Sequence, residues 1–586
     1  MKGILQTVNL IWKNHKLLFC ILVTIDIIVG VLPLISVYCV QTIINSLTLH
    51  TNIYMALTTF GIYILISVVS SFLIALQMYI NGKISNYLSF EVEYKVLNVV
   101  SSLKLSAFEN EETYSQIDKL TNEAPTKPFE VFSTLSTITT ASITLISSYI
   151  YIFKINTLYA CALLLTAAIS IPYLLYISKE QFSIHWERAE PERKNWYIKY
   201  IMTHDFSVKE VKFYNLSTYL KDKYKKLKRM FISQDLMLLK KFSLFNFIYE
   251  FTTSIISGVL VISVIWSIYI GKALIGTLTS VTQIISLTQE NTQTIIGDIY
   301  SLKYDTMLLN KLFTFLSGEN HGMTVQYADM NAGKKQLQRI DYLRATNLRF
   351  NYGDKNVLSN INFKISRGSL VAIVGKNGSG KSTLIKILAG LYDPESRGQL
   401  FFNDVDVLDY DKTTFHEKIS ILFQNFVKYE MSLKENIGFG DIKHINNNDE
   451  ILAVKDKYAS TLNKNLSLDS QMGSWFSNGT QISGGQWQGV ATGRAFFNKQ
   501  SDLVILDEPN SALDPIAEKK LFLEFKNFIQ KDKIGLFISH RISTTKQADL
   551  ILVIDDGEII ASGTHNYLEK NSKIYRELEE AEKYEE

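Results

Sequence analysis

Three cysteines in 586 residues are too few for a disulfide scaffold. Eight prolines exclude a proline-rich architecture. Neither sign of charge dominates: 60 Lys+Arg against 57 Asp+Glu leave a net charge of +3, which argues against a dedicated nucleic-acid binder. Apolar residues, at 47 %, are ample for a buried core and exclude disorder. No small-residue cleavage site precedes Thr24, so the N-terminus does not read as a cleavable signal. The length suggests several domains or two large ones, and the bland averages mix two unlike halves.

Long apolar runs dominate the first half. Lys16–Val40, Met55–Tyr79, Val131–Phe153, Leu158–Ile177 and Phe245–Ile270 each approach the ~20 residues that cross a hydrocarbon core of roughly 30 Å as a helix. A more polar stretch, about Ala273 to Ile296, makes a sixth. Buried soluble helices are the competing reading, and several charge-free spans weigh against it. Lys179–Lys241 is dense in cations, among them Arg188, Arg193, Lys194, Lys221 and Lys228. The connections at Ser46–Ile53, Lys154–Asn156 and Gly271–Lys272 are short and poor in charge. The positive-inside tendency therefore places Asn81–Glu130 and Ser178–Leu244 in the cytoplasm. Both read as helices that continue the spans and are joined by turns near Glu109–Thr113 and Thr203–Lys209.

Composition changes near Leu316. The predicted organisation is a membrane domain over 1–315, a polar linker over 316–339, an α/β domain over 340–580 and an acidic end at 581–586. The acidic stretch Glu577–Glu586 is expected to fray. In the second half Leu370–Val374 and Leu503–Leu506 are unbroken apolar runs, as in strands buried on both faces of a parallel sheet.

After the first of these runs comes Gly375-Lys376-Asn377-Gly378-Ser379-Gly380-Lys381-Ser382, which fits G-x-x-x-x-G-K-[ST] and leads into a helical run at Thr383. Glycines let backbone N–H groups close around phosphate, and the helix N-terminus favours anions. Lys381 is expected to reach the β/γ-phosphates of ATP and Ser382 to hold Mg²⁺. The second run ends in Asp507-Glu508, at the strand end where parallel sheets bind ligands. Asp507 suits Mg²⁺, and Glu508 suits polarising an attacking water. Ser483-Gly484-Gly485-Gln486 opens a helix, with Ser483 as N-cap and the glycines allowing close approach to an anion.

With Gln424, Ser511-Ala512-Leu513-Asp514 and His540, these motifs resemble the nucleotide-binding domain of an ABC ATPase over about Ile340–Glu577. The resemblance implies that Tyr352 stacks on adenine and that Gln424 binds Mg²⁺ and water. It implies that Ser483 to Gln486 cap ATP held by a partner chain. Asp514 would lie in the loop crossing that interface, and His540 would contact the γ-phosphate. Glu508, His540 and Gln424 are thus the expected catalytic group. Two residues depart from the family pattern: Asn510 follows Asp-Glu-Pro, and Ser477 stands where a Glu often precedes the signature. Membrane-first order and long cytoplasmic helices resemble ABC exporters. The implied fold is an all-α polytopic membrane domain of six transmembrane helices followed by an α/β P-loop domain, working as a homodimer in the cytoplasmic membrane.

A narrower resemblance covers most of the chain. His185-Trp186-Glu187-Arg188, Glu192-Arg193-Lys194-Asn195-Trp196-Tyr197, Thr203-His204-Asp205-Phe206-Ser207, Leu422 to Glu430 and Gly484 to Gln488 are similar to the nisin-type lantibiotic exporters. This implies a peptide cargo with its leader attached, and docking by lantibiotic dehydratase and cyclase. The first span starts near Lys16, so no N-terminal peptidase is expected and leader removal needs another protein. A multidrug or lipid exporter, and a non-transporting ABC regulator, are the competing readings. The sixth run is polar along Thr279, Thr282, Gln283, Ser286, Gln289 and Gln293, as for a helix lining an aqueous cavity. Asp26 and Glu250 are intramembrane carboxylates, either cargo-contacting or paired with a neighbouring group or with the interface.

Overall fold

The computed structural model describes all residues except 1, 50–52, 111–112, 114–116, 118–119, 122–123, 156, 318–333, 464, 510–514, 530–531, 540 and 586. Two compact units emerge, residues 1–103 with 107–324 and residues 325–586 with 104–106.

The first unit is helical: α1 (Lys2–Thr48), α2 (Ile53–Ser102), α3 (Leu105–Glu109), α4 (Lys127–Ile155), α5 (Thr157–Glu187), α6 (Ala189–Thr203), α7 (Asp205–Phe213), α8 (Ser217–Tyr269) and α9 (Ile275–Leu316). Helices α1, α2, α4 and α8 are long and apolar enough to cross a membrane. These are the four found among the described residues, where the sequence suggests six spans; helix α9, which carries the polar stripe, is not among them. Helix α1 joins its lead-in to the span across a non-helical residue, His15 (φ −136°, ψ 40°).

Helix α2 shows how one helix serves two environments. Met55, Leu57, Phe60, Ile62, Leu65 and Ile74 are exposed and together cover most of the helix circumference. So much apolar surface suits lipid and not water. From Ile80 the pattern turns amphipathic, and Ile80, Ile84, Leu88, Val92 and Val96 recur every four residues as one buried stripe. This stripe packs with Ile11, Leu22, Leu309 and Leu312 of α1 and α9. Gly30 lets α1 approach α4, where Thr144 Oγ1 donates to the Gly30 carbonyl at 2.8 Å. Arg188, between α5 and α6, is buried and donates to Gln234, Asp235 and the Phe231 carbonyl of α8.

The second unit holds two sheets. Antiparallel strands β1 (Tyr342–Tyr352), β2 (Lys355–Ser366), β4 (Leu400–Phe402) and β5 (Val405–Asp406) form one, in the order β2-β1-β4-β5. The other has the order β10-β9-β3-β8-β7-β6, from β3 (Leu370–Gly375), β6 (Ile419–Leu422), β7 (Leu503–Asp507), β8 (Ile534–Ile538), β9 (Leu550–Asp555) and β10 (Glu558–Gly563). Its strands are parallel except for the β9–β10 hairpin. Every residue of β3, β7 and β8 is buried, which accounts for their unbroken apolar sequences. The acidic end, expected to fray, belongs to a helix over Lys573–Glu585. Tyr575 is fully buried and hydrogen-bonds His565 at 3.0 Å, and buried Glu579 pairs with Lys546, which anchors that helix.

Candidate nucleotide site

Parallel strands bring their carboxyl ends to one sheet edge, and the loops leaving β3, β6 and β7 carry the candidate residues. Gly375 ends β3 where a Cβ would lie 2.0 Å from the Ile554 carbonyl oxygen, so glycine is required by close approach. Lys376, Asn377 and Gly378 form an exposed turn, while Ser379, Gly380 and Lys381 are buried beneath it. Gly380 (φ +102°) starts helix α10 (Lys381–Leu388), in which Ser382 and Thr383 are half-buried in the first turn. Lys381 Nζ folds back to donate to the Gly375 and Lys376 carbonyls, each at 2.8 Å. The lysine is thereby fixed at the rim of the loop. Burial pushes its ammonium below the usual range, against the pull of Glu508 and Asp507.

At the end of β7, burial and the neighbouring Glu508 carboxylate push Asp507 up to about 6, opposed by Lys381 and Lys386. Asp507 Oδ1 and Ser379 Oγ are buried with no hydrogen-bond partner among the described residues. Unsatisfied oxygens of this kind fit a hard cation and a phosphate-bearing ligand. Glu508 takes φ +47°. Among the described non-glycine residues at positive φ it is the exception to a set otherwise of Asn and Asp, whose short side chains tolerate that region. Strain stored beside a candidate reactive group suits preorganisation. Gln424, exposed after β6, donates through Nε2 to Glu508 Oε2 at 2.6 Å.

Tyr352 ends β1, half-buried and edge-on to Phe350 and Tyr392 at 5.0 and 5.5 Å. Ser483, Gly484, Gly485 and Gln486 begin helix α11 (Gly484–Phe497) in a capping box: Ser483 Oγ accepts from the Gln486 amide and Gln486 Oε1 from the Ser483 amide. Ser483 and Gly484 are exposed, and the space above Gly484 is open. Lys381, Asp507, Glu508 and Gln424 are thus brought together, and the signature turn stands presented at the surface. Asp514, His540 and Asn510 lie outside the described residues.

Sequence motifs assigned no role to three supporting residues. Gln488 of α11 is buried and donates to the Pro509 carbonyl, tying the signature helix to the Asp507-Glu508 turn. Arg494, lower on α11, donates to the Val427 and Asn436 carbonyls at 3.1 and 2.8 Å and so reaches the segment after Gln424. Glu430 Oε2 accepts from the Trp475 amide at 3.1 Å, placing a carboxylate in the loop where Ser477 departs from the family pattern. A polar side chain among apolar helix positions was the available signal for Gln488.

The ABC transporter family profile matches residues 358–511. The subtilin transport ATP-binding protein SpaT of Bacillus subtilis is 40 % identical over 592 residues, covering 100 % of this chain and 95 % of its own length. The nisin transport ATP-binding protein NisT of Lactococcus lactis is 36 % identical over 593 residues, covering 99 % and 96 %. An ATP-dependent lipid A-core flippase of Photobacterium profundum is 34 % identical over 256 residues, 43 % of each chain. A bacterial Atm1-family ABC exporter solved with ATP bound shares the fold, with TM-score 0.80 and 18 % identity over 97 % of this chain and 99 % of that one. The chain belongs to the ABC transporter family, as a multi-pass membrane protein whose helical unit precedes an ATP-hydrolysing unit coupled to transport.

Proposed function

We propose that this chain exports a ribosomally made, modified peptide of the lantibiotic type, leader attached, across the cytoplasmic membrane. The observation that carries this is the reach of the likeness. Identity to the subtilin and nisin transport proteins runs through essentially the whole chain, membrane unit included, whereas that to the lipid A-core flippase stops at 43 % of it. The flippase likeness leaves more than half of the chain unmatched and so says less about cargo than a likeness that runs through both units. Six spans over 1–315, a linker over 316–339, and an ATPase domain over 340–580 in the cytoplasm complete the reading.

In the ATP site, Lys381 binds the β/γ-phosphates and the backbone of Gly375 to Thr383 encloses them, with Tyr352 against adenine. Ser382, Gln424 and Asp507 would hold Mg²⁺, which when bound neutralises charge on the phosphates. Glu508 accepts the proton of the attacking water, and its bond to Gln424 fixes the carboxylate's orientation. His540 contacts the γ-phosphate. Ser483 to Gln486 and Asp514 complete the site of a second copy, so the working unit is a homodimer. ATP-driven closure then exchanges inward-open for outward-open states. A dehydratase and cyclase deliver the modified peptide at the inner face.

Titrating purified protein in nanodiscs with leader-bearing lantibiotic precursor, lipid A or a cationic dye tests the cargo. Saturable ATPase stimulation by the precursor is expected. Stimulation by lipid or dye with none by precursor contradicts the reading.

A further inference from the structure

Thr282, Ser286 and Glu290 recur at four-residue spacing on α9 and therefore share a face. That face is exposed and lines an open cleft of about 440 Å³ with residues of α1 and α2. One wall is apolar, formed by Pro33, Val37, Val40 and Leu287.

Apart from the Gln283 amide, which carries an acceptor and donors, the polar wall offers acceptors. Ser286 Oγ donates to the Thr282 carbonyl at 3.1 Å, and Thr282 Oγ1 to the Thr279 carbonyl at 2.9 Å. Ser36 Oγ, on α1, likewise donates to the Leu32 carbonyl at 3.1 Å. These hydroxyl protons are committed to their own helices, so lone pairs are what the hydroxyls present to the cavity. The Glu290 backbone carbonyl accepts from Thr294, but its carboxylate has no partner among the described residues.

The carboxylates singled out by sequence are differently placed. Asp26 is buried where α1, α2 and α4 meet, accepting from Gln77 and Ser136 at 2.7 Å each, and serves as an internal pin. Glu250 of α8 accepts from Gln293 at 2.8 Å. Glu290 is the one of these three that lines the cavity without a partner.

We infer that this cavity is a cargo subsite for the ammonium group of a lysine in the exported peptide, an inference that rests on the export reading above. An ammonium has three donors and no acceptor, matching the Glu290 carboxylate and the lone-pair hydroxyls of Thr282 and Ser286 on the same helix face. Its four-carbon stem lies along Pro33, Val37, Val40 and Leu287. Tyr63, also in the lining, supplies a ring face to a cation.

The test measures ATP-dependent uptake into inside-out proteoliposomes of two leader-bearing precursors. One is unaltered, and the other has every lysine of its mature segment replaced by glutamine. The ratio of their uptake efficiencies is read for each variant, which divides out any change in overall activity. Wild type is expected to favour the lysine form by about tenfold, the size of one charge-assisted hydrogen bond. Glu290→Gln brings the ratio close to one, and Glu290→Asp retains part of the preference. Uptake of both precursors by Glu290→Gln with the wild-type ratio overturns the subsite and leaves peptide export standing. Uptake of neither precursor by wild type removes the export reading, and the subsite with it.

Discussion

Asp507 carries opposed demands. In the unfolded chain its carboxyl titrates near 3.8, and in the folded chain near 6. Between these values the native state keeps a proton that the unfolded state has released. Stability therefore falls as pH rises through that window, and a penalty on the order of 3 kcal/mol stands above it. Asp507→Asn is expected to raise the melting temperature of the ATPase unit at pH 7.5, with the gap closing toward pH 4. Mg²⁺ is expected to stabilise wild type and not the variant, as calorimetry in nanodiscs would read. Melting that is equal for both proteins at pH 7.5, with and without Mg²⁺, contradicts this account. At this scale the sequence was most legible where a site is contiguous. The loop from Gly375 to Ser382 and the Asp507-Glu508 pair can be read directly, because the spacing itself is the geometry. Gln488 and Arg494 were not legible, since each acts by reaching a backbone carbonyl brought near only by tertiary folding.

Elements were legible to the extent that one environment covers them. The runs that became β3 and β7 are buried on both faces and read as such. Helix α2 changes environment along its length, from lipid-facing to amphipathic, and its cytoplasmic continuation follows the buried stripe from Ile80 to Val96. Helix α9 is too polar to read as a lipid-facing span, yet its polar stripe marks the face on which Thr282, Gln283 and Ser286 line a cavity. The short helix–helix approach at Gly30 leaves no sequence signature without its partner. A Cβ there would meet Ile143 Cβ at 2.9 Å and the Thr140 carbonyl oxygen at 3.0 Å. Gly30→Leu is therefore expected to drive α1 from α4, costing about 1–3 kcal/mol and lowering the melting temperature of the membrane unit. A melting temperature equal to wild type would show that α1 and α4 do not pack at Gly30.

At the scale of the whole molecule, family order made the reading possible. Single motifs such as Ser-Gly-Gly-Gln are weak, but phosphate loop, Gln424, signature and Asp-Glu strand in sequence define an ABC ATPase, and the full-length likeness to subtilin and nisin transport proteins extends this into the membrane unit. Cargo chemistry was the least legible. It depends on the cavity-facing side of helices whose neighbours no local pattern names, and Glu290 shows this. The most direct test of ATP-driven peptide export is uptake of a leader-bearing lantibiotic precursor into inside-out proteoliposomes, measured beside Glu508→Gln. Uptake is expected for wild type, with a loss of at least about a hundredfold in the variant, which still binds ATP. ATP hydrolysis by wild type without any uptake of the precursor would contradict it.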